Sequence, residues 1–210
     1  MYTVKSGCST LLIEAGHKIN KIKRMLNYKL HTVTACLISH SDLDHCIWHS
    51  GLLNAGVDCY MTFETANKLR LSGHHRLHVI KPLKQFNIGA FKIKPFPTEH
   101  CPGSVGFLIE NSRDKLGFIT DSCFCDYTCN DLNIICIECN WSEKTLDTDS
   151  QSDYAMHLSL EDVIGFLEKN NLKNVREIHL LHLSDDNSDE VYFKNTIEKL
   201  TGIPTYVAVK

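Results

Sequence analysis

The sequence predicts one α/β domain, and three observations carry that expectation. Short apolar runs recur between turn residues, which is the pattern of short strands. Four longer stretches carry helix start and stop signals. Acids or histidines follow directly on several of the strands, so the chemistry gathers at strand ends. Strands are expected at 10–14, 34–38, 58–61, 91–95, 105–110, 116–120, 133–138, 177–181 and 205–209. Helices are expected at 18–27, 64–71, 159–170 and 188–200. The third opens with Ser159 and has Asp162 three residues later, close to a capping box. The fourth follows an Asp/Asn/Ser cluster and stops at Gly202, with Pro204 beyond it. The polar stretch 142–153, SEKTLDTDSQSD, reads as an exposed loop. No internal repeat or linker appears, so a single domain over 1–210 is expected.

Composition narrows the class. The chain has 210 residues, 22 Lys plus Arg against 25 Asp plus Glu, and a formal charge of −3. Its 43% hydrophobic and 22% charged content is that of a globular protein with a sizeable core. A mildly acidic balance gives no support to a chain that coats nucleic acid, although a local basic groove remains compatible. No apolar run reaches membrane-spanning length, and MYTVKSGCST lacks a signal-peptide shape. A cytoplasmic protein with no membrane partner is expected.

The 10 cysteines read as reduced thiols, because several sit inside apolar runs, such as Cys36 in TACLIS and Cys136 in NIICIEC. Cys123, Cys125 and Cys129, with Cys136 and Cys139, offer zinc-like spacings. However, residues three apart in a strand face opposite sides, so no structural zinc is expected. The run 73–78, GHHRLH, reads as a solvated loop, and 18–29, KINKIKRMLNYK, as a helix with a solvated basic face. Lys81, Lys84, Lys92 and Lys94 read as the polar side of a strand pair.

The 12 histidines are distributed less evenly. The apolar run 35–38 opens into His40-Ser41-Asp42-Leu43-Asp44-His45, a dense set of imidazole and carboxylate donors suited to Zn, Mn or Fe. His100 follows the strand at 91–95, Asp121 follows GFIT, and His182 follows IHLL. Taken alone, HSDLDH could be a solvated turn, and a lone strand-end Asp or His is usually structural. Their repetition at successive strand ends is what points to a metal site.

With these residues in view the chain resembles the metallo-β-lactamase superfamily. The resemblance runs from LLIEAG through ISHSDLDH, PTEH and GFITDS to HLLHLS, nearly the whole chain. It implies a four-layer αβ/βα sandwich of two mixed β-sheets flanked by helices, with a two-metal site at one edge. Glu14 in LLIEAG stands where the family has an early acid. On the family pattern His40, Asp42 and His100 would hold one metal, Asp44, His45 and His182 the other, and Asp121 would bridge them. The second histidine of the family signature is Asp42 here, as in the related flavodiiron proteins. An oxygen donor there makes that subsite harder and favours Mn or Fe over Zn, leaving the identity of the two divalent ions open. A bridging hydroxide would be the nucleophile, and Asp44 and His157 would be the catalytic side chains.

The branch implied is phosphodiester hydrolysis. His157, in YAMHLSLED, looks like the histidine before a helix that faces the scissile phosphate in tRNase Z-like enzymes. There it would be the general acid. Ser184 and Asn187, near the His-x-Ser ending of that branch, would bind substrate; a turn-and-cap role for 185–189 is equally compatible. The inserted domain of the large nucleic-acid-processing members and the tRNA-gripping arm are both absent. A small phosphodiester, a cyclic nucleotide as in the similar phage anti-Pycsar enzymes, is therefore the expected substrate, and relatives suggest a homodimer. Alternatives are a single-strand DNA or RNA exonuclease, a non-catalytic binding protein, a flavodiiron-like redox protein, and a thiolester hydrolase of the glyoxalase II kind.

Overall fold

The computed structural model describes residues 1–71, 73–146 and 154–208. The chain folds into two compact units, one formed by 1–97 with 101–105 and the other by 98–100 with 106–210. Each is α/β, so the expected class holds.

In the first unit, β1 (Tyr2–Ser6), β2 (Ser9–Ile13), β3 (Val33–Leu37), β4 (Cys59–Thr62) and β5 (Leu77–Ile80) form a sheet in sequence order. The β1–β2 pair is an antiparallel hairpin, and every later pairing is parallel. Parallel strands need crossovers. These are supplied by α1 (Ile19–Met25), α2 (Leu43–Cys46) and α3 (His49–Asn54), while α4 (Phe63–Lys68) leads from β4 toward β5. Leu11, Leu12 and Ile13 are all fully buried, as are Ala35, Cys36 and Leu37, so β2 and β3 are covered on both faces. Leu12, Cys36, Cys59 and Met61 pack in one core cluster with Ile22, Leu52, Leu53 and Ala66 of the helices. An antiparallel hairpin, β6 (Phe86–Ile88) and β7 (Phe91–Pro97), completes this unit.

The second unit orders its strands β12-β11-β10-β9-β8: Thr205–Val207, Glu177–Leu181, Ile134–Glu138, Lys115–Ile119 and Val105–Glu110. The β8–β9 pair is antiparallel with Phe107 opposite Phe118, and the remaining pairs are parallel. Helix α5 (Leu160–Lys169) starts at the expected capping box, Ser159 and Asp162 exchanging both hydrogen bonds. Helix α6 (Glu190–Thr201) is capped by Asp189 and ends at Gly202 in the left-handed conformation.

Several expectations need correction. The first helix is shorter than 18–27, the second begins at Phe63 and stops before 71, and the last begins at Glu190, two residues after 188. Strands β1, β5 and β6 were not anticipated; His78, read as part of a loop, lies in β5. The Asp44–His45 pair lies in the short helix α2 rather than an open turn. Residues 147–153 of the expected loop, and 209 of the last strand, lie outside the described residues.

All ten cysteines are free thiols, and among the described residues no cluster of metal-ligating atoms includes one. A hydrogen bond with Cys59, together with burial, holds the Cys36 thiol well above its ordinary range. Burial pushes Cys136 up to about 12. Thiolate is the reactive form. At pH 8 a thiol reagent should therefore modify exposed Cys8 first and leave buried Cys36, Cys59 and Cys139 intact until denaturant is added, as read by peptide mass mapping.

Candidate metal and catalytic site

In a parallel sheet the strands all end on one edge, which is where side chains can converge. The first unit uses this at β2 and β3. Glu14, just past β2, adopts φ 71° and is 1% exposed. Its N–H donates to the Leu37 carbonyl at 2.8 Å, and its Oε2 accepts from the Ser39 N–H at 3.4 Å. Its Oε1 faces His45 Nδ1 at 3.6 Å. Ala15 ties the turn to α2, donating to the His45 carbonyl and accepting from the Trp48 N–H. At Gly16 a Cβ would stand 1.7 Å from the Asp44 carbonyl oxygen, so only glycine fits between these two segments.

That packing sets the donors that follow β3. Ser39 Oγ lies 2.8 Å from His40 Nδ1, which turns His40 Nε2 toward Asp42 Oδ2 at 3.7 Å. His45 Nε2 is 3.1 Å from Asp44 Oδ2, and the His40 and His45 rings lie 4.2 Å apart. Lys68 Nζ stands 3.7 Å from Asp42 Oδ1.

The second unit repeats the device at β9, β10 and β11. Asp121 (φ 31°) and His182 (φ 52°) directly follow their strand-end segments in left-handed backbone, a conformation that non-glycine residues rarely adopt. Thr120 Oγ1 donates to Asp121 Oδ1 at 2.6 Å. Glu138, the last residue of β10, is fully buried. Its Oε2 accepts from the Ser122 and Leu158 N–H groups at 3.0 and 3.2 Å. Its Oε1 lies 2.7 Å from His157 Nδ1 and 3.1 Å from His182 Nδ1. Asp121, Glu138, His157 and His182 each offer a donor atom within 4.8 Å of the others. His100 joins by a 5.5 Å ring contact with His157, its Nδ1 donating to the Met156 carbonyl at 3.1 Å.

These arrangements fit a bound divalent cation. In each unit imidazole Nδ1 atoms face a carboxylate or hydroxyl, which fixes the ring and leaves Nε2 as the outward donor. Burial opposes the charge on His157 most strongly. The hydrogen bond and charge of Glu138, joined by Asp121, outweigh it and raise the imidazole above its ordinary value. Ser184 and Asn187 sit in a turn: Ser184 Oγ accepts from the Asp186 and Asn187 N–H groups, and Asn187 is 1% exposed with its carbonyl accepting from Thr145. Sequence reasoning missed Glu138 as a site residue, although it closes the apolar run IICIE just as Asp121 follows GFIT.

Acids and histidines delivered by successive strand ends define a metallo-hydrolase fold. Residues 10–182 match the beta-lactamase superfamily domain, and the chain belongs to that family. Among solved structures it is similar to the metallo-beta-lactamase fold protein YhfI from Bacillus subtilis, with a TM-score of 0.79 at 16% identity, covering 98% of this chain and 87% of that one. It is similar to Zn(2+)-bound PqqB from Methylobacterium extorquens, with a TM-score of 0.71 at 15% identity over 98% and 83% of the chains. The short form of human tRNase Z gives a TM-score of 0.64 at 16% identity over 87% and 85%. No curated protein matches the sequence. At such identities these likenesses concern the fold.

Truncating Glu138 strands several buried polar groups at once. Glu138→Ala should lower unfolding free energy by roughly 3–5 kcal/mol, the cost typical of removing one partner from a buried charge pair. Glu138→Gln, which keeps the shape, should lose less, and urea denaturation of the two variants would show whether that ranking holds.

Proposed function

We propose that the protein is a metal-dependent phosphodiesterase acting on a small phosphodiester, with a cyclic nucleotide as the preferred substrate. The observation that carries this reading is the anchoring of His157 Nδ1 on Glu138, within the same cluster as Asp121 and His182 and three residues before α5. An imidazole held by its Nδ1 presents Nε2 for proton transfer. Its raised affinity for a proton suits donation to a leaving alkoxide. The fold shared with human tRNase Z is consistent with phosphodiester chemistry.

His40, Asp42, Asp44, His45, His100, Asp121 and His182 are the proposed ligands of two divalent ions, Zn or Mn, with Fe the further option. When bound, such ions supply hydroxide at neutral pH and offset charge on the attacking and leaving oxygens. Within the chain, Glu14 and Ser39 orient the imidazoles that follow β3, and Glu138 orients His157 and His182. Asp44, whose Oδ2 lies 3.1 Å from His45 Nε2, would take the nucleophile's proton.

Hydrolysis of bis-p-nitrophenyl phosphate should require added Mn or Zn and be abolished in Asp121→Ala. Absence of turnover with every metal would defeat the proposal. His157→Ala should reduce turnover by roughly 10²- to 10⁴-fold while metal content stays unchanged. Retained activity in that variant would remove His157 from the general-acid role. Faster cleavage of single-stranded DNA than of cyclic nucleotides would favour the exonuclease reading.

A further inference from the structure

The first unit holds a cavity of about 510 Å³ lined by Ser41, Phe63, Glu64, Asn67, Lys68 and Pro102. That is the size range of small-ligand sites. Its walls are fixed by backbone chemistry. Cys101, Pro102, Gly103 and Ser104 form a tight turn closed by the Ser104 N–H donating to the Cys101 carbonyl at 3.0 Å, with Gly103 at φ +81°. Proline followed by glycine is the pair that a type II turn demands. Thr62 Oγ1 donates to the Gly103 carbonyl at 2.8 Å, and the Val105 N–H donates to the Ser39 carbonyl at 3.1 Å. A Cβ on Gly103 would come within 2.6 Å of Thr62 Oγ1 and of Glu64 Cβ, so the turn lies flat against the start of α4.

Phe63 lines this rigid recess yet is 64% exposed. A single exposed aromatic is unremarkable on a surface. This one directly follows β4, on the sheet edge where β3 delivers His40 and Asp42, and Lys68 of the same cavity pairs with Asp42. Glu64 and Asn67 add an acceptor and an amide along the rim. An aromatic face, an amide that can pair two adjacent atoms of a base edge, and a carboxylate that accepts from an exocyclic amine together complement adenine.

We infer that this cavity is the base-recognition pocket of the enzyme, taking the adenine of a nucleotide on Phe63 with Asn67 and Glu64 at its amino edge. The inference rests on the phosphodiesterase reading and names its substrate class. Lys68 then lies on the phosphate side, between the base and Asp42.

Isothermal titration of the metal-loaded protein with AMP and with IMP, which lacks the amino group, tests it. Wild type should bind AMP saturably and more tightly than IMP. Phe63→Ala should weaken AMP roughly 10- to 100-fold, as expected for loss of a base stack. Asn67→Ala should erase the preference over IMP. Both side chains are solvent-exposed, and circular dichroism would verify that the variants fold. No saturable AMP binding, or equal affinity in Phe63→Ala, would overturn the inference. Turnover of bis-p-nitrophenyl phosphate is scored separately: its presence with AMP binding indifferent to Phe63 sinks only the pocket, and its absence with Phe63-dependent binding sinks only the catalysis.

Discussion

A carboxylate sealed from water is affordable only when nearly every lone pair is used, and Glu138 meets that condition. Two backbone N–H groups and two imidazoles converge on its oxygens. The backbone donors come from the turn after β9 and the approach to α5, and one imidazole comes from the end of β11. The acid therefore ties together the three segments that carry Asp121, His157 and His182. A buried charge of this kind is weak evidence for stability, but it is an effective means of specifying one arrangement.

The first unit solves the same problem differently. Glu14 spends one oxygen on a backbone N–H and turns the other toward His45, and Ser39 takes the role of orienting His40. In both units the donors lie just past parallel strands, in backbone that is strained at Glu14, Asp121 and His182. Such strain persists only where surrounding contacts over-determine it, and it concentrates at functional positions. Side chains that left a strand in ordinary extended geometry would continue its alternation instead of turning back over the sheet edge.

The donors themselves were legible because each follows an apolar run long enough to be recognised as a strand: ACLI before His40 to His45, GFIT before Asp121, IHLL before His182. Glu138 differs in being the last residue of its strand rather than a residue past it, so the apolar run does not set it apart. The long helices were legible through caps, Ser159 with Asp162 and Asp189 with Gly202. Strands β1, β5 and β6 were not, being short edge or near-edge segments whose few apolar residues sit among Lys, His and Asn. Helices α2 and α3 span only 4 and 6 residues, too short to display a period. Ser184 Oγ accepts from two N–H groups of its own turn, a detail that spacing leaves open.

The parallel pairing of β10 with β11 also bears on how the protein forms. The two strands are separated by the whole of α5, so their register closes a long loop before any contact repays its entropy. Chains dominated by such pairings fold slowly. Until β11 docks, Glu138 has no His182 to face and remains hydrated. The full polar cluster therefore requires β11 to have docked beside β10, because His182 reaches Glu138 only from the end of that strand.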